Sequence, residues 1–135
     1  MPKRTYVDTS VLIAAFKGDD DLARRALAVL DDPDRTVVVS DAVRLEAMPK
    51  ARYFKNATEI EFYESLFSQA ENIAWNAGAL QVALEIAEQH GIAAMDAIHV
   101  AHAELAGVAE IVTAEKSTKP MFRVKTIAMR SIRDA

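Results

Sequence analysis

Arg4-Thr5-Tyr6-Val7-Asp8-Thr9-Ser10-Val11-Leu12-Ile13 is the stretch whose reading decides the fold. It begins as a short apolar, β-rich run and changes within two small polar residues to sequence of helical character. Asp8 stands at that junction. A carboxylate at the carboxyl end of a first strand occupies the position where open α/β sheets assemble their sites, and Thr9 or Ser10 is placed to cap the helix that follows. Three further acids recur at comparable places: Glu46 in a helix opening after Val37-Val38-Val39, Asp96 near a helix start, and Glu115 after Ile111-Val112-Thr113. Together the four point to a carboxylate cluster for a divalent metal.

The rest of the chain extends the alternation of strand and helix. A first strand over about 5–8 leads to a helix over 10–16, and the acids Asp19 to Asp21 open a second helix that ends at Leu30. Asp31-Asp32-Pro33-Asp34 reads as a turn. Thr36 to Val39 is a β-branched run with no polar alternation, the pattern of a strand covered on both faces, which favours a parallel sheet. Ser40 is a candidate cap for the helix carrying Val43, Glu46 and Ala47, which Pro49 is expected to end or kink. A helix over 58–69 presents Ile60, Phe62, Tyr63, Leu66 and Phe67 on an apolar face. Ile73 to Trp75 reads as a short strand. Asn76 caps a helix over 77–90 that Gly91 stops, and a second helix over 94–106 stops at Gly107. Strands at 111–113 and 124–127 complete the set. The expectation is one domain over residues 1–135, a three-layer α/β/α arrangement with a mainly parallel sheet of four or five strands.

Composition narrows the chemistry. The 135 residues contain no cysteine, which excludes disulfides and thiolate metal sites and leaves oxygen and imidazole ligands. Magnesium and manganese lead on that ground, and the lack of cysteine fits a reducing cytosol. The apolar run Val11 to Phe16 falls far short of the roughly 20 residues that span a bilayer, so neither a signal peptide nor a membrane helix is read. The net charge of -4 argues against nucleic-acid binding only until the acids of the cluster are set aside. Two segments reverse the sign. Lys50, Arg52 and Lys55 flank the rings of Tyr53 and Phe54, a composition suited to phosphates and stacked bases as well as to an ordinary solvated helix face. Residues 116–135 carry Lys116, Lys119, Arg123, Lys125, Arg130 and Arg133 against Asp134, a net of +5.

Each acid also has an ordinary reading as a cap or a solvated charge. Asp96 fits it least, because it interrupts the apolar stretch Gly91-Ile92-Ala93-Ala94-Met95-Asp96-Ala97-Ile98, where an uncompensated charge would be costly if buried. Helical spacing puts Asp96, His99, Val100 and Ala103 on one side and Ile98, Ala101 and Leu105 on the other. His99 therefore lies toward the acids, where it either contacts substrate phosphate or a metal-bound water or serves as a structural hydrogen-bonding group. With His102 it makes a pair three residues apart, but no further His or Cys follows to complete a zinc site.

The order and spacing of these segments resemble the PIN-domain ribonuclease family, and within it the small VapC toxins of bacterial toxin-antitoxin modules. Val7-Asp8-Thr9-Ser10-Val11-Leu12 is similar to the family's opening motif, and Ser40 to Glu46 to its second-acid helix. Met95-Asp96-Ala97-Ile98-His99 and Thr113-Ala114-Glu115 are similar to its third-acid helix and closing threonine-acid motif. The resemblance implies a parallel-sheet α/β fold with Asp8, Glu46, Asp96 and Glu115 around one or two magnesium or manganese ions. It further implies secondary polar contacts from Ser10 and Thr113, RNA phosphodiester hydrolysis by metal-activated water, a homodimer, a neutralising antitoxin and a cytoplasmic setting. Glu115 departs from the family's usual Asp by one methylene, and Thr118 stands where an aromatic is frequent.

Other functions remain open from the residues alone: an RNA-processing nuclease outside a toxin module, or a PIN-fold binding module without catalysis. Phosphotransfer through Asp8 is disfavoured, because the second Asp that haloacid-dehalogenase-like enzymes carry two residues on is Ser10 here.

Overall fold

The computed structural model describes residues 2–134. Five strands form one sheet in the order β3-β2-β1-β4-β5, and every neighbouring pair is parallel. These are β1 (Lys3–Val7), β2 (Arg35–Ser40), β3 (Glu71–Ile73), β4 (Glu110–Thr113) and β5 (Ala128–Ser131). Between them run α1 (Thr9–Lys17), α2 (Asp20–Leu30), α3 (Asp41–Tyr53), α4 (Ala57–Gln69), α5 (Ala77–His90) and α6 (Ala94–Ala106), with a 3-10 turn at Pro120–Arg123.

Parallel strands must be joined by crossovers of one hand, so the strand order assigns the layers. The chain moves outward from β1 to β2 to β3, which puts α1 to α4 on one face. It then returns past all three to β4, which puts α5 and α6 on the other. β1 and β4 are neighbours whose chains leave toward opposite faces, and the crevice outside their carboxyl ends is where such sheets bind ligands. Asp8 directly follows β1, and Glu115 lies two residues beyond β4.

The inner strands are apolar on both faces for the reason their sequence suggests. Tyr6, Val7, Val38, Val39, Ile111 and Val112 are all buried, in one continuous cluster with Val11, Leu12, Val43, Val100 and Ala103. The C-terminal stops of α5 and α6 are as expected. Gly91 and Gly107 take φ of 64° and 67°, the left-handed conformation that glycine adopts without a Cβ penalty. Asn76 caps α5 by accepting from the Gly78 amide at 2.8 Å.

Four local expectations are corrected. Pro49 does not end α3 within two turns: the helix continues to Tyr53. Proline forfeits one intrahelical bond there, while burial of Ala47, Met48 and Ala51 holds the segment on both sides of it. The third strand lies at Glu71–Ile73 rather than 73–75, because the Trp75 amide turns away to Asp41 Oδ2 at 2.8 Å. The last strand is Ala128–Ser131, four residues beyond the expected 124–127. Val124 instead closes the 3-10 turn by donating to the Met121 carbonyl. On α6 the expected opposite stripe is not uniform, since Ala101 is buried while Leu105 is exposed.

Candidate metal centre

Asp8 is itself the N-cap of α1, a role expected of Thr9 or Ser10. Its Oδ1 accepts from the Ser10 amide at 3.1 Å and from the Ser10 hydroxyl. The displaced hydroxyls then have other work. Ser10 Oγ accepts from the Ala114 amide at 2.9 Å and lies 3.2 Å from Thr113 Oγ1, which in turn accepts from the Glu115 amide at 3.1 Å. The cap of α1 and the turn after β4 are thereby tied together across the switch point. Arg133 Nε and Ser131 Oγ, both from the C-terminal segment, donate at 2.5 Å to the carbonyls of Ala114 and Glu115 and fix that turn from its other side.

Thr9 reaches the second acid. Its hydroxyl donates to Glu46 Oε1 at 2.7 Å, and His99 Nε2 lies 2.5 Å from the same oxygen. His99 is 3% exposed with both ring nitrogens engaged, Nδ1 lying 2.7 Å from the Tyr6 hydroxyl. It is thus a buried hydrogen-bonding group and not an open phosphate contact. His102 is separate from the acids: its Nδ1 donates to the Ile98 carbonyl at 3.0 Å, and its Nε2 accepts from the Asn76 amide at 3.3 Å. Ser40 is the N-cap of α3 by backbone, but its hydroxyl makes no cap bond and pairs with Tyr6 at 2.7 Å. Tyr6 and Thr9 are the contacts that sequence reasoning missed. The signal for Tyr6 was a polar-tipped ring between Thr5 and Val7 in the buried half of β1.

The four acids share one electrostatic neighbourhood. Burial pushes the Asp96 carboxyl above the ordinary range, and the negative charges of Asp8, Glu115 and Glu46 add to the shift against a partial offset from His99. Asp8, 4% exposed, is raised as well, chiefly by burial and further by Glu115, with Ser10, His99 and Thr113 only partly offsetting it. Glu46 is lowered, first by the His99 hydrogen bond and then by that of Thr9, against the opposing effect of burial. In Asp8 and Asp96 burial is the largest cause, and repulsion among the acids adds to it.

Among the described residues no Lys or Arg forms an ion pair with Asp8, Glu46, Asp96 or Glu115. Nor, among these residues, do three Asp, Glu or His side chains close into a ready-made metal cage. The crevice at the switch point thus gathers hard carboxylate oxygens, tied by the hydroxyls of Thr9, Ser10 and Thr113. Its donor chemistry fits a hard divalent cation that retains part of its water shell.

The cationic candidates lie outside this crevice. Lys50, Arg52 and Lys55 are exposed at the end of α3, and Arg52 pairs with Glu64 at 2.5 Å. The adjacent rings are exposed as well, Tyr53 at 79% and Phe54 at 65%, packed edge to face 5.0 Å apart. The six cations of the C-terminal segment are all exposed. Arg133 also lines a cleft of about 360 Å³ beside the acids, with Ser10, Ile13, Leu22, Ala114 and Glu115.

A parallel α/β domain whose acids meet at its switch point defines a recognised class. The chain belongs to the PIN domain family, whose model matches residues 5–120. Similar solved structures include VapBC2 from Rickettsia felis bound to a promoter DNA fragment (TM-score 0.71, 18% identity, covering 95% of this chain and 98% of that one). DNA-bound VapBC from Salmonella typhimurium is similar to the same degree (TM-score 0.71, 16% identity, 98% and 99%). So is VapC20 from Mycobacterium tuberculosis, a sarcin-ricin loop cleaving toxin (TM-score 0.65, 16% identity, 88% and 94%). At such identities the likeness is one of fold. No curated protein matches the chain in sequence.

Proposed function

We propose that this chain is a divalent-metal-dependent endoribonuclease and the toxin of a toxin-antitoxin pair. The observation that carries the proposal is the pair Asp8 and Asp96: two acids raised by burial and by neighbouring negative charge, with no Lys or Arg ion pair among the described residues, in a PIN fold. An acidic crevice of this kind needs a cation before it can accept a phosphodiester, whose own charge it would otherwise repel. Asp8, Glu46 and Asp96 would hold magnesium or manganese, with Glu115 contributing directly or through water. The ion when bound supplies an activated water and neutralises phosphate charge.

The remaining steps belong to the chain. Ser10 and Thr113 fix the turns that carry Asp8 and Glu115, and Thr9 fixes Glu46. Arg133 at the rim of the adjoining cleft is placed to receive a flanking phosphate. Lys50, Arg52 and Lys55, beside the exposed rings of Tyr53 and Phe54, extend the surface available to single-stranded RNA. The toxin assignment draws on the fold shared with VapBC complexes, and it carries with it a homodimer, an antitoxin partner and action in the cytoplasm. No helix of the described residues is long and apolar enough to cross a membrane.

The test is cleavage of mixed cellular RNA by purified protein in manganese, magnesium or EDTA, alongside Asp8→Asn and Asp96→Asn. Metal-dependent cleavage should fall at least about a hundredfold in both variants, the upper range for damage even to a metal site's supporting contacts. Cleavage that survives both substitutions sinks the assignment of these acids. Co-expression with the product of a small neighbouring gene should abolish the activity if the toxin reading is right.

A further inference from the structure

Asp8 and Glu46 are presented alike. In each, one carboxylate oxygen takes two protein donors: Asp8 Oδ1 from the Ser10 amide and hydroxyl, Glu46 Oε1 from Thr9 Oγ1 at 2.7 Å and His99 Nε2 at 2.5 Å. Among the described residues Glu46 Oε2 takes no hydrogen bond, and Asp8 has the Thr113 hydroxyl as a further neighbour. The difference lies in what stands behind each. Asp8 is held by its own helix turn. Glu46 is a longer side chain, 34% exposed, on a helix surface where it would otherwise sample several rotamers. It is held from two other elements, by Thr9 of α1 and His99 of α6.

The arm that holds it is buried throughout. Ser40 Oγ and Tyr6 Oη are 2.7 Å apart, Tyr6 Oη and His99 Nδ1 are 2.7 Å apart, and His99 Nε2 ends the chain on Glu46. An ionised carboxylate only accepts, so Nε2 carries a proton and donates to Glu46, while the Tyr6 hydroxyl links the other ring nitrogen to Ser40. The rings of Tyr6 and His99 pack with centroids 5.8 Å apart, which limits imidazole rotation.

We propose that Tyr6 and His99 are positioning residues that pin Glu46 Oε1, so that Oε2 is offered to the metal as a single-oxygen ligand. The inference rests on the divalent-metal reading of the crevice. Supporting contacts of this kind orient a ligand and are felt in metal affinity even though they never touch the ion.

Calorimetric titration of manganese into wild type, Tyr6→Phe, Glu46→Gln and the double variant tests it, with thermal unfolding in EDTA run beside each. Tyr6→Phe keeps the ring and should weaken manganese binding about tenfold. In the Glu46→Gln background the same change should cost no more than about twofold, because the group through which Tyr6 acts is gone. His99→Gln should repeat the pattern and serves if Tyr6→Phe does not fold. Unchanged affinity in Tyr6→Phe overturns the proposal, as does an equal loss in both backgrounds, which would mark general loosening. A wild type that takes up no manganese refutes the metal reading itself, an outcome distinct from either.

Discussion

Glu110 and Asp8 are two buried acids on adjoining strands, 6% and 4% exposed, at opposite ends of the same sheet. Burial pushes both carboxyls up, and there the likeness ends. At the amino end Glu110 accepts from Thr5 Oγ1 at 2.6 Å and Arg35 Nε at 2.9 Å, with Lys3 Nζ 3.8 Å away. These contacts more than cancel the burial and leave Glu110 below the ordinary range. At the carboxyl end Asp8 has hydroxyls and a backbone amide but no cation, and it stays above that range. The comparison teaches that burial alone does not distinguish an acid of the fold from an acid of a site. The presence or absence of a counter-charge does: Glu110 is paired with Arg35 and Lys3, whereas among the described residues Asp8 and Asp96 form no ion pair with Lys or Arg, as the proposed metal site requires.

The largest effect that would break this contrast lies at the amino end. Glu110→Ala should destabilise the protein by about 3 kcal/mol in urea unfolding, since it leaves the buried Thr5 hydroxyl without its acceptor and the mostly buried Arg35 with Asp32 alone. A loss below about 1 kcal/mol, the scale of an exposed pair, would remove Glu110 from the role given to it. Next in size is the effect of metal at the carboxyl end. Manganese at about a hundred times its Kd should stabilise the folded state by about 2.7 kcal/mol, read as a rise in Tm that EDTA reverses. An unmoved Tm would deny that the crevice is completed by a cation.

Asp8→Asn sharpens the same point with a smaller effect. It keeps an acceptor for the Ser10 amide and removes the unpaired charge, so metal-free protein should gain about 1 kcal/mol, the usual return when a strained site group is relieved. The same variant should lose most of the manganese-induced gain. A destabilised metal-free Asp8→Asn would mean that Asp8 is held as a structural anion after all.

The smallest effect is in pH. Asp8 and Asp96 have folded-state values raised above the 3.8 of a free Asp, so the native state binds protons more tightly than the unfolded chain. Stability of metal-free protein should therefore rise as pH falls from 7 into that window. Glu46 and Glu110 act oppositely. Their values are depressed below 4.5, so the stability they contribute persists above that pH and is lost as pH falls through their folded-state values. A shallow maximum on the acid side of neutrality is expected in EDTA, flattened by Glu110→Gln on its acid limb and by Asp8→Asn on its neutral limb.

Much of the architecture was legible because it is local. Asn76, Gly91 and Gly107 bound their helices through contacts spanning a few residues, and the unbroken run Val37 to Val39 reports burial on both faces without help from the rest of the chain. The positions of Asp8 and Glu115 at strand ends were legible for the same reason. Pro49 was misread because its one lost hydrogen bond is outweighed by packing from elements distant in sequence. The last strand was misplaced because the run Val124 to Ile127 is as β-like as Ala128 to Ser131; pairing with Glu110 to Thr113 chose between them.

By itself, then, the sequence determined the alternation of strands and helices, the glycine stops of α5 and α6, the parallel character of the sheet and the four acids set at its margins, all through interactions of short range. The order β3-β2-β1-β4-β5, the pairing of Arg35 with Glu110, and the placing of Tyr6 and His99 behind Glu46 were decided only in the folded chain. Apart from the β4–β5 pairing, each joins residues more than 30 positions apart. Such contacts depend on which crossover the chain takes and which charges burial brings together, quantities that no stretch of sequence carries until the layers have packed.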